Sequence, residues 1–345
     1  MTSAGALNYT THAIETLESW LAGLRRNNYR ASAHALESLI TVMREAVKFN
    51  LPEHGELVAL ETLDEAFSEF VRLPFDAVCL EAAFPVNGKT VPVYRGNDTF
   101  LENCSTRRIA VAWTQQYAQR FPALCPQGAR EGFYVASVYY DDEDRNWLAA
   151  PLLSFIPKNP AIERIPVLPS QGAQGLEYEF LLKQGAVRPN SAGYECETQV
   201  FLSEFVHLMA EEMGSVEAAL ARFSLDLRDE TATAIAFCLT VNASNIEQRR
   251  MDAPAKLNKK RLSSGKVPFY DTWVLDVGTP TSRSGGRESN LNADDRRGAP
   301  RLHLRRGHLR RLGPDRITFV RATTVGTVHQ GQVDKVYRVT SPAGR

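Results

Sequence analysis

The residues most able to do chemistry stand together near the C-terminus, in the run Arg301-Leu302-His303-Leu304-Arg305-Arg306-Gly307-His308-Leu309-Arg310-Arg311-Leu312. Read as a strand, Arg301, His303 and Arg305 alternate onto one face. A bulge at Gly307 would return His308 and Arg310 to that face, because the extra residue resets the alternation. Imidazoles among guanidiniums suit phosphate. A guanidinium offers a planar fork to two oxygens, and a histidine pair can take and return a proton on a ribose phosphate without a metal. A basic strand that neutralises an acidic surface, or that blocks edge-to-edge pairing, has the same composition.

A second basic cluster lies ahead of this run: Lys256, Lys259, Lys260, Arg261 and Lys266, with Tyr270 and Trp273 close behind. Cations interleaved with aromatic rings can hold phosphates and stack on bases, although connectors without a ligand also show this texture. The expected nucleic-acid contacts are Lys259, Lys260, Arg261, Arg305, Arg306, Arg310 and Arg311, and His303 and His308 are the candidate catalytic pair. The charge distribution agrees with a basic functional end. Residues 1–248 carry 19 Lys and Arg against 32 Asp and Glu, a net −13, whereas residues 249–345 carry 21 against 8, a net +13. The whole chain of 345 residues is neutral. The two regions should meet different partners, or each other.

Other chemistries find little in the chain. There is no G-x-G-x-x-G and no G-x-S-x-G, and Ser263-Ser264-Gly265-Lys266 lacks the rest of a phosphate loop. No C-x-x-C or H-E-x-x-H occurs, and no Glu or Asp is followed two residues later by Lys, so neither a cofactor nor a metal is expected. Glu204 and His207 match one half of a di-iron Glu-x-x-His pair, with Glu211 a turn further on, but the second half is missing and the three read as a solvated helix face. Asp141-Asp142-Glu143-Asp144 reads as an acidic hairpin turn. The five cysteines are widely spaced in mostly apolar runs and read as reduced core residues.

The elements that must position these residues follow from periodicity. Apolar residues at helical spacing predict helices over 13–24, 32–49 and 56–73, the first capped by Thr11, and further helices over 198–213, 215–223 and 229–241. Short runs rich in Val, Phe and Tyr predict strands at 77–84, 90–94, 108–113, 133–140 and 147–155. A helix or strand is expected at 176–183. Residues 249–266 read as a connector, 269–277 as a strand, and the polar stretch 278–300 as a disordered loop. Strand-like runs at 301–312, 316–325 and 335–339 follow. The expected class is α+β: a helical N-terminal region, a mixed α/β middle and a small antiparallel basic β-sheet at the C-terminus. The expected division is an acidic domain over 1–248 and a basic part over 249–345. No leader peptide and no run of apolar residues long enough to cross a bilayer is visible, which predicts a cytosolic protein.

The C-terminal residues also carry a family resemblance. Lys256-Leu-Asn258-Lys259-Lys260-Arg261, Gly265-Lys266-x-Pro268-x-Tyr270, His303-Leu-Arg305-Arg306-Gly307-His308-x-Arg310-Arg311-Leu312, Val320-Arg321, Val325-Gly326 and Tyr337-Arg338-Val339 resemble a family of uncharacterised proteins encoded by tailed bacteriophages and prophages. Leu73-Pro74-Phe75 running into Leu80-Glu81 resembles its other recurring element. The resemblance covers about a third of the chain and implies a phage or prophage origin and action in the bacterial cytoplasm, but no reaction. The expectation is therefore a phage-type accessory protein that contacts nucleic acid, RNA or DNA, through its basic C-terminal sheet. The alternatives are a metal-independent ribonuclease using His303 and His308, or a module that binds and inhibits a host protein.

Overall fold

The computed structural model describes residues 6–55, 57–58, 65–84, 90–95, 98–103, 105–125, 130–164, 192–277, 301–305, 308–320, 323–325 and 327–332. The expected loop at 278–300, the element at 176–183 and the strand at 335–339 lie outside them.

Two helices, α1 (Tyr9–Arg26) and α2 (Arg30–Glu45), open the chain. The strands β1 (Val47–Asn50), β2 (Ala77–Ala83), β3 (Thr90–Arg95), β4 (Asp98–Asn103) and β5 (Arg107–Thr114) follow, then a single turn α3 (Gln115–Ala118). Next come β6 (Gly132–Asp141), β7 (Asn146–Pro157), β8 (Ile162–Arg164), β9 (Ala192–Tyr194) and β10 (Glu197–Val200). The helices α4 (Ser203–Met213) and α5 (Val216–Val241) lead to β11 (Ile246–Met251), α6 (Ala255–Ser263) and β12 (Thr272–Val277). The last strands are β13 (Arg301–Arg305), β14 (His308–Gly313), β15 (Arg316–Val320), β16 (Thr323–Val325) and β17 (Thr327–Gln332). The protein is thus α+β, with a helical start, a large mixed central sheet and a small antiparallel sheet toward the C-terminus.

The central sheet has eight strands in the order β10-β7-β6-β5-β2-β1-β12-β11. Its inner strands are covered on both faces, which is why their sequences are almost continuously apolar. Cys79, Val111 and Ala136 face the α1 and α2 layer, joined there by Ile14, Leu17, Leu36 and Leu39. Val78, Leu80, Ala112 and Val135 face the other way, against Phe237 and Leu239 of α5 and Ile317 of β15. Packing between β6 and β7 is tight at Gly132, where an added Cβ would overlap the Ile156 carbonyl oxygen and stand 2.7 Å from the Phe155 ring. Both obstacles are buried, so Gly132→Ala is expected to cost about 1–3 kcal/mol through overpacking. A chemical denaturation midpoint unchanged from the parent protein would refute this.

Several local expectations are corrected by tertiary context. The helix expected over 32–49 stops at Glu45, because Ala46 takes an extended ψ of 149° and Val47–Asn50 pairs in parallel with β2 and β12. Thr11 is not the cap of α1. Asn8 occupies that position without a side-chain cap bond, and the Thr11 hydroxyl donates instead to the Pro268 carbonyl at 3.1 Å. Within 56–73 the described residues hold only the 3-10 turn Glu65–Phe70. Residues 197–200 form a strand paired with β7 rather than the start of α4. The two helices expected beyond 215 are one, α5, whose Ser215 cap accepts from the Ala218 amide at 3.0 Å. Among the cysteines, Cys79 and Cys238 are buried and free, but Cys196 is exposed, and Cys104 lies outside the described residues.

The expected boundary at residue 248 falls inside β11, and the central sheet runs across it. β12 pairs in parallel with β1 and antiparallel with β11, so residues 246–277 complete the sheet begun by the N-terminal region. Thr272 and Trp273 lie in register with Lys48 and Phe49, and Trp273 and Leu275 pack on the α5 side of the core.

Candidate nucleic-acid interface

Antiparallel neighbours need only a short turn between them, yet β11 and β12 are joined by a twenty-residue excursion. Polar anchors hold it in place. The Asp271 carboxylate accepts from the Ala253 amide at 2.8 Å and from Arg250 at 2.5 Å. The hydrogen bond from the Ala253 amide, helped by the Arg250 guanidinium, outweighs burial and keeps this carboxyl below the ordinary range. Asn258 makes a two-way bridge, its amide donating to the Phe269 carbonyl and its oxygen accepting from the Phe269 amide, both at 2.8 Å. Arg261 donates to the Val267 carbonyl at 2.7 Å and to Glu15 of α1 at 2.6 Å, with its guanidinium 4.3 Å from the Phe269 ring centre.

The helix carried by this excursion, α6, buries none of its nine residues. Asn258 and Arg261, three apart, point to the body of the protein. At 100° per residue the opposite arc holds Lys256, Lys259, Lys260 and Ser263, all exposed. No ion-pair partner for the three lysines is present among the described residues, whereas Arg249, Arg250 and Arg261 are all paired with acids. Lys259 and Lys260, two of the candidate phosphate contacts, stand exposed on this arc. Arg261 is instead an anchor, with a side chain only 14% exposed.

The other basic cluster lies on the hairpin of β14 and β15. Its alternation is set by the core: Leu309, Ile317 and Phe319 turn inward onto the α5 side of the sheet. Asn245 repeats the two-way bridge, bonding the Phe319 amide and carbonyl at 2.8 Å each. Arg311 shares the inward parity and is tied to the Ala66 carbonyl, to Glu69 at 2.6 Å and to the Pro314 carbonyl at 2.7 Å. It joins Arg261 as an anchor. His308, half-buried, and Arg310, exposed, have the outward parity, and so does Arg316 across the hairpin.

β13 and β14 are not one bulged strand. β13 pairs with β16 and β17, and among the described residues β14 pairs only with β15. His303 stands opposite Val325 and His308 opposite Val320, so backbone pairing does not set the two histidines side by side. The side chains of Arg301, His303 and Arg305, and the whole of Arg306, lie outside the described residues. The two basic clusters also pack against opposite faces of the central sheet. Val267 and Tyr270 belong to the core on the α1 side, and Leu309 and Phe319 to the core on the α5 side.

Other candidates have structural work. Glu204 reaches across to the start of α2, accepting from the Ala31 amide at 3.0 Å, the Ser32 amide at 2.8 Å and the Ser32 hydroxyl. Burial opposes its ionisation, but these hydrogen bonds together outweigh burial and hold the carboxyl below the usual range. The acidic turn is used likewise: Asp141 accepts from the Glu143 amide at 2.9 Å, and Asp142 accepts from the Thr106 amide at 2.7 Å and hydroxyl at 2.6 Å. Among the described residues, no group of three or more His, Cys, Asp or Glu is placed to hold a metal ion, and no helix is long and apolar enough to cross a membrane.

One polar cluster escaped the sequence reading. Lys48, Cys79 and Glu81 share the α1-facing side of β1 and β2, all buried. The Lys48 ammonium donates to the Arg44 and Ala46 carbonyls at 2.8 and 2.5 Å, and Glu81 accepts from the Tyr9 and Thr10 amides at 3.0 and 2.9 Å. The signal was a lone cation and a lone carboxylate inside otherwise apolar runs. No family model matches the chain, and no curated protein or solved structure is similar to it.

Proposed function

We propose that the protein binds nucleic acid, with the lysine face of α6 as its principal contact and the outward arginines of the β14–β15 hairpin as a further one. The observation that carries this reading is a helix that buries nothing, yet is held in place by Asn258, Arg261 and Asp271 so that Lys256, Lys259 and Lys260 stand outward without acid partners among the described residues. Such a helix adds little to the core, and its anchoring makes sense as presentation of fixed cations to a polyanion. The resemblance to proteins of tailed phages and prophages supports action as an accessory protein in the bacterial cytoplasm. The ribonuclease alternative gains no comparable support, since His303 and His308 lie on strands of different sheets.

Counterion release provides the test. Each phosphate neutralised contributes about −0.9 to the slope of log affinity against log salt on duplex DNA. Replacing Lys256, Lys259 and Lys260 together by Ala should flatten the slope measured by fluorescence anisotropy by roughly 2 to 3. It should leave the melting temperature nearly unchanged, because the three side chains are exposed. An unchanged slope, or a parent protein that binds neither DNA nor RNA at low salt, overturns the proposal.

A further inference from the structure

The two cationic surfaces are built independently, on opposite faces of the central sheet. The α6 excursion is fastened to the α1 side of the central sheet, through Arg261 to Glu15 and through the Thr11 hydroxyl to the Pro268 carbonyl. The hairpin is fastened to the α5 side, through Asn245 and the Ser244 amide and through Arg311 to Glu69. Between them lie the sheet and the side chains packed on each of its faces. Stacked layers are about 10 Å apart, so one layer on each side separates the two surfaces by on the order of 20 Å.

Each surface also has its own ligand geometry. On α6, Lys256 and Lys260 are one turn apart and Lys259 lies beside them. On the hairpin, Arg310 stands opposite Thr318, and Arg316 is two residues from Thr318 on the same face, which makes the two arginines diagonal neighbours about 7–8 Å apart. Both are exposed, and neither has an ion-pair partner among the described residues. Two separated guanidiniums suit the successive phosphates of a backbone, and the lysine face suits another stretch of one.

A straight duplex laid along either surface cannot reach the other. We infer that a single chain holds two nucleic-acid segments at once, one on each side of the central sheet, and so bridges them. This rests on the nucleic-acid reading proposed above and adds to it the number of segments and their arrangement.

The experiment uses a short immobilised DNA duplex and a second, fluorescent duplex of the same sequence in solution, with the full-length protein added below saturation. The parent protein should recruit the fluorescent duplex to the surface. The variant with Lys256, Lys259 and Lys260 replaced by Ala, and the variant Arg310→Ala/Arg316→Ala, should each still bind a single duplex but recruit about tenfold less of the second. An equimolar mixture of the two variants should not restore recruitment. If the hairpin variant bridges as well as the parent, bridging comes from self-association of chains with one site each, and the inference fails. If either variant loses single-duplex binding entirely, the clusters form one composite site, and it fails again. A parent that binds a single duplex but recruits no second one refutes bridging while leaving the nucleic-acid reading intact. A parent that binds no duplex at all removes both.

Discussion

Lys48→Met is expected to destabilise the protein by about 3–5 kcal/mol, whereas Lys48→Met combined with Glu81→Gln costs much less than the two single changes added together. Lys48 and Glu81 are 3% and 1% exposed, so neither charge has water to fall back on. Their placement follows from the helices above them. Joined by a three-residue turn, α1 and α2 run antiparallel, which brings the start of α1 and the end of α2 to the same side. Glu81 meets the free amides of α1 and Lys48 the free carbonyls of α2, each charge opposite in sign to the helix end it touches. The Tyr270 ring centre lies 3.9 Å from the Lys48 ammonium, and the Cys79 thiol, pushed up to about 12 by burial, stays neutral between them. Each charge is held first by its helix end, and removing one takes from the other a longer-range opposite charge in the same buried cluster. Removing both leaves a neutral side-chain amide on β2, whose oxygen still accepts from the start of α1. Urea melts of the four proteins measure the coupling, and strictly additive losses would refute it.

The same pair fixes a pH dependence. Burial raises the Glu81 carboxyl, and the amides of Thr10 and Tyr9 and the Lys48 charge offset that only in part. A carboxyl that holds its proton more tightly when folded contributes stability that is full below the unfolded carboxylate pKa of about 4.3 and is lost as pH rises through the higher folded value. The stability of the parent relative to Glu81→Gln should therefore fall as pH is raised through this range. A flat difference would show that Glu81 titrates as in the unfolded chain.

Arg261→Ala has the second largest expected effect, about 2–3 kcal/mol, and it separates anchors from contacts within one helix. The substitution removes a partly buried pair with Glu15, a bond to the Val267 carbonyl and the stacking on Phe269. With no buried residue of its own, α6 then relies on Asn258, on the Asp271 bond at its base and on the Thr11 bond to Pro268 in the segment that follows. Proteolysis at Lys259 and Lys260 should accelerate, and, on the nucleic-acid reading proposed above, affinity should fall as well although Arg261 is turned to Glu15 and Val267. Lys260→Ala, one residue away, should leave stability within about 0.5 kcal/mol of the parent. Equal stability of the two variants would return Arg261 to the contact surface.

The difference between these neighbours shows what the sequence by itself determined. Long apolar runs could only be the inner strands, and residues 77–84, 108–113, 133–140 and 147–155 were legible because both of their faces are covered. The class α+β, the basic C-terminal texture and the lack of standard nucleotide-loop and zinc motifs were legible for the same reason: each depends on composition or spacing along the chain. What tertiary structure alone decided is who partners whom. A four-residue stretch such as Val47–Asn50 can close a helix or open a strand, and pairing with β2 and β12 made it a strand. The caps of α1 and α2 come from Glu81 and Glu204, far away in sequence. Lys259, Lys260 and Arg261 are adjacent cations with one local signature. Only Arg261 becomes an anchor, because its carboxylate partner arrives from Glu15, 246 residues earlier in the chain, when α6 docks beside α1.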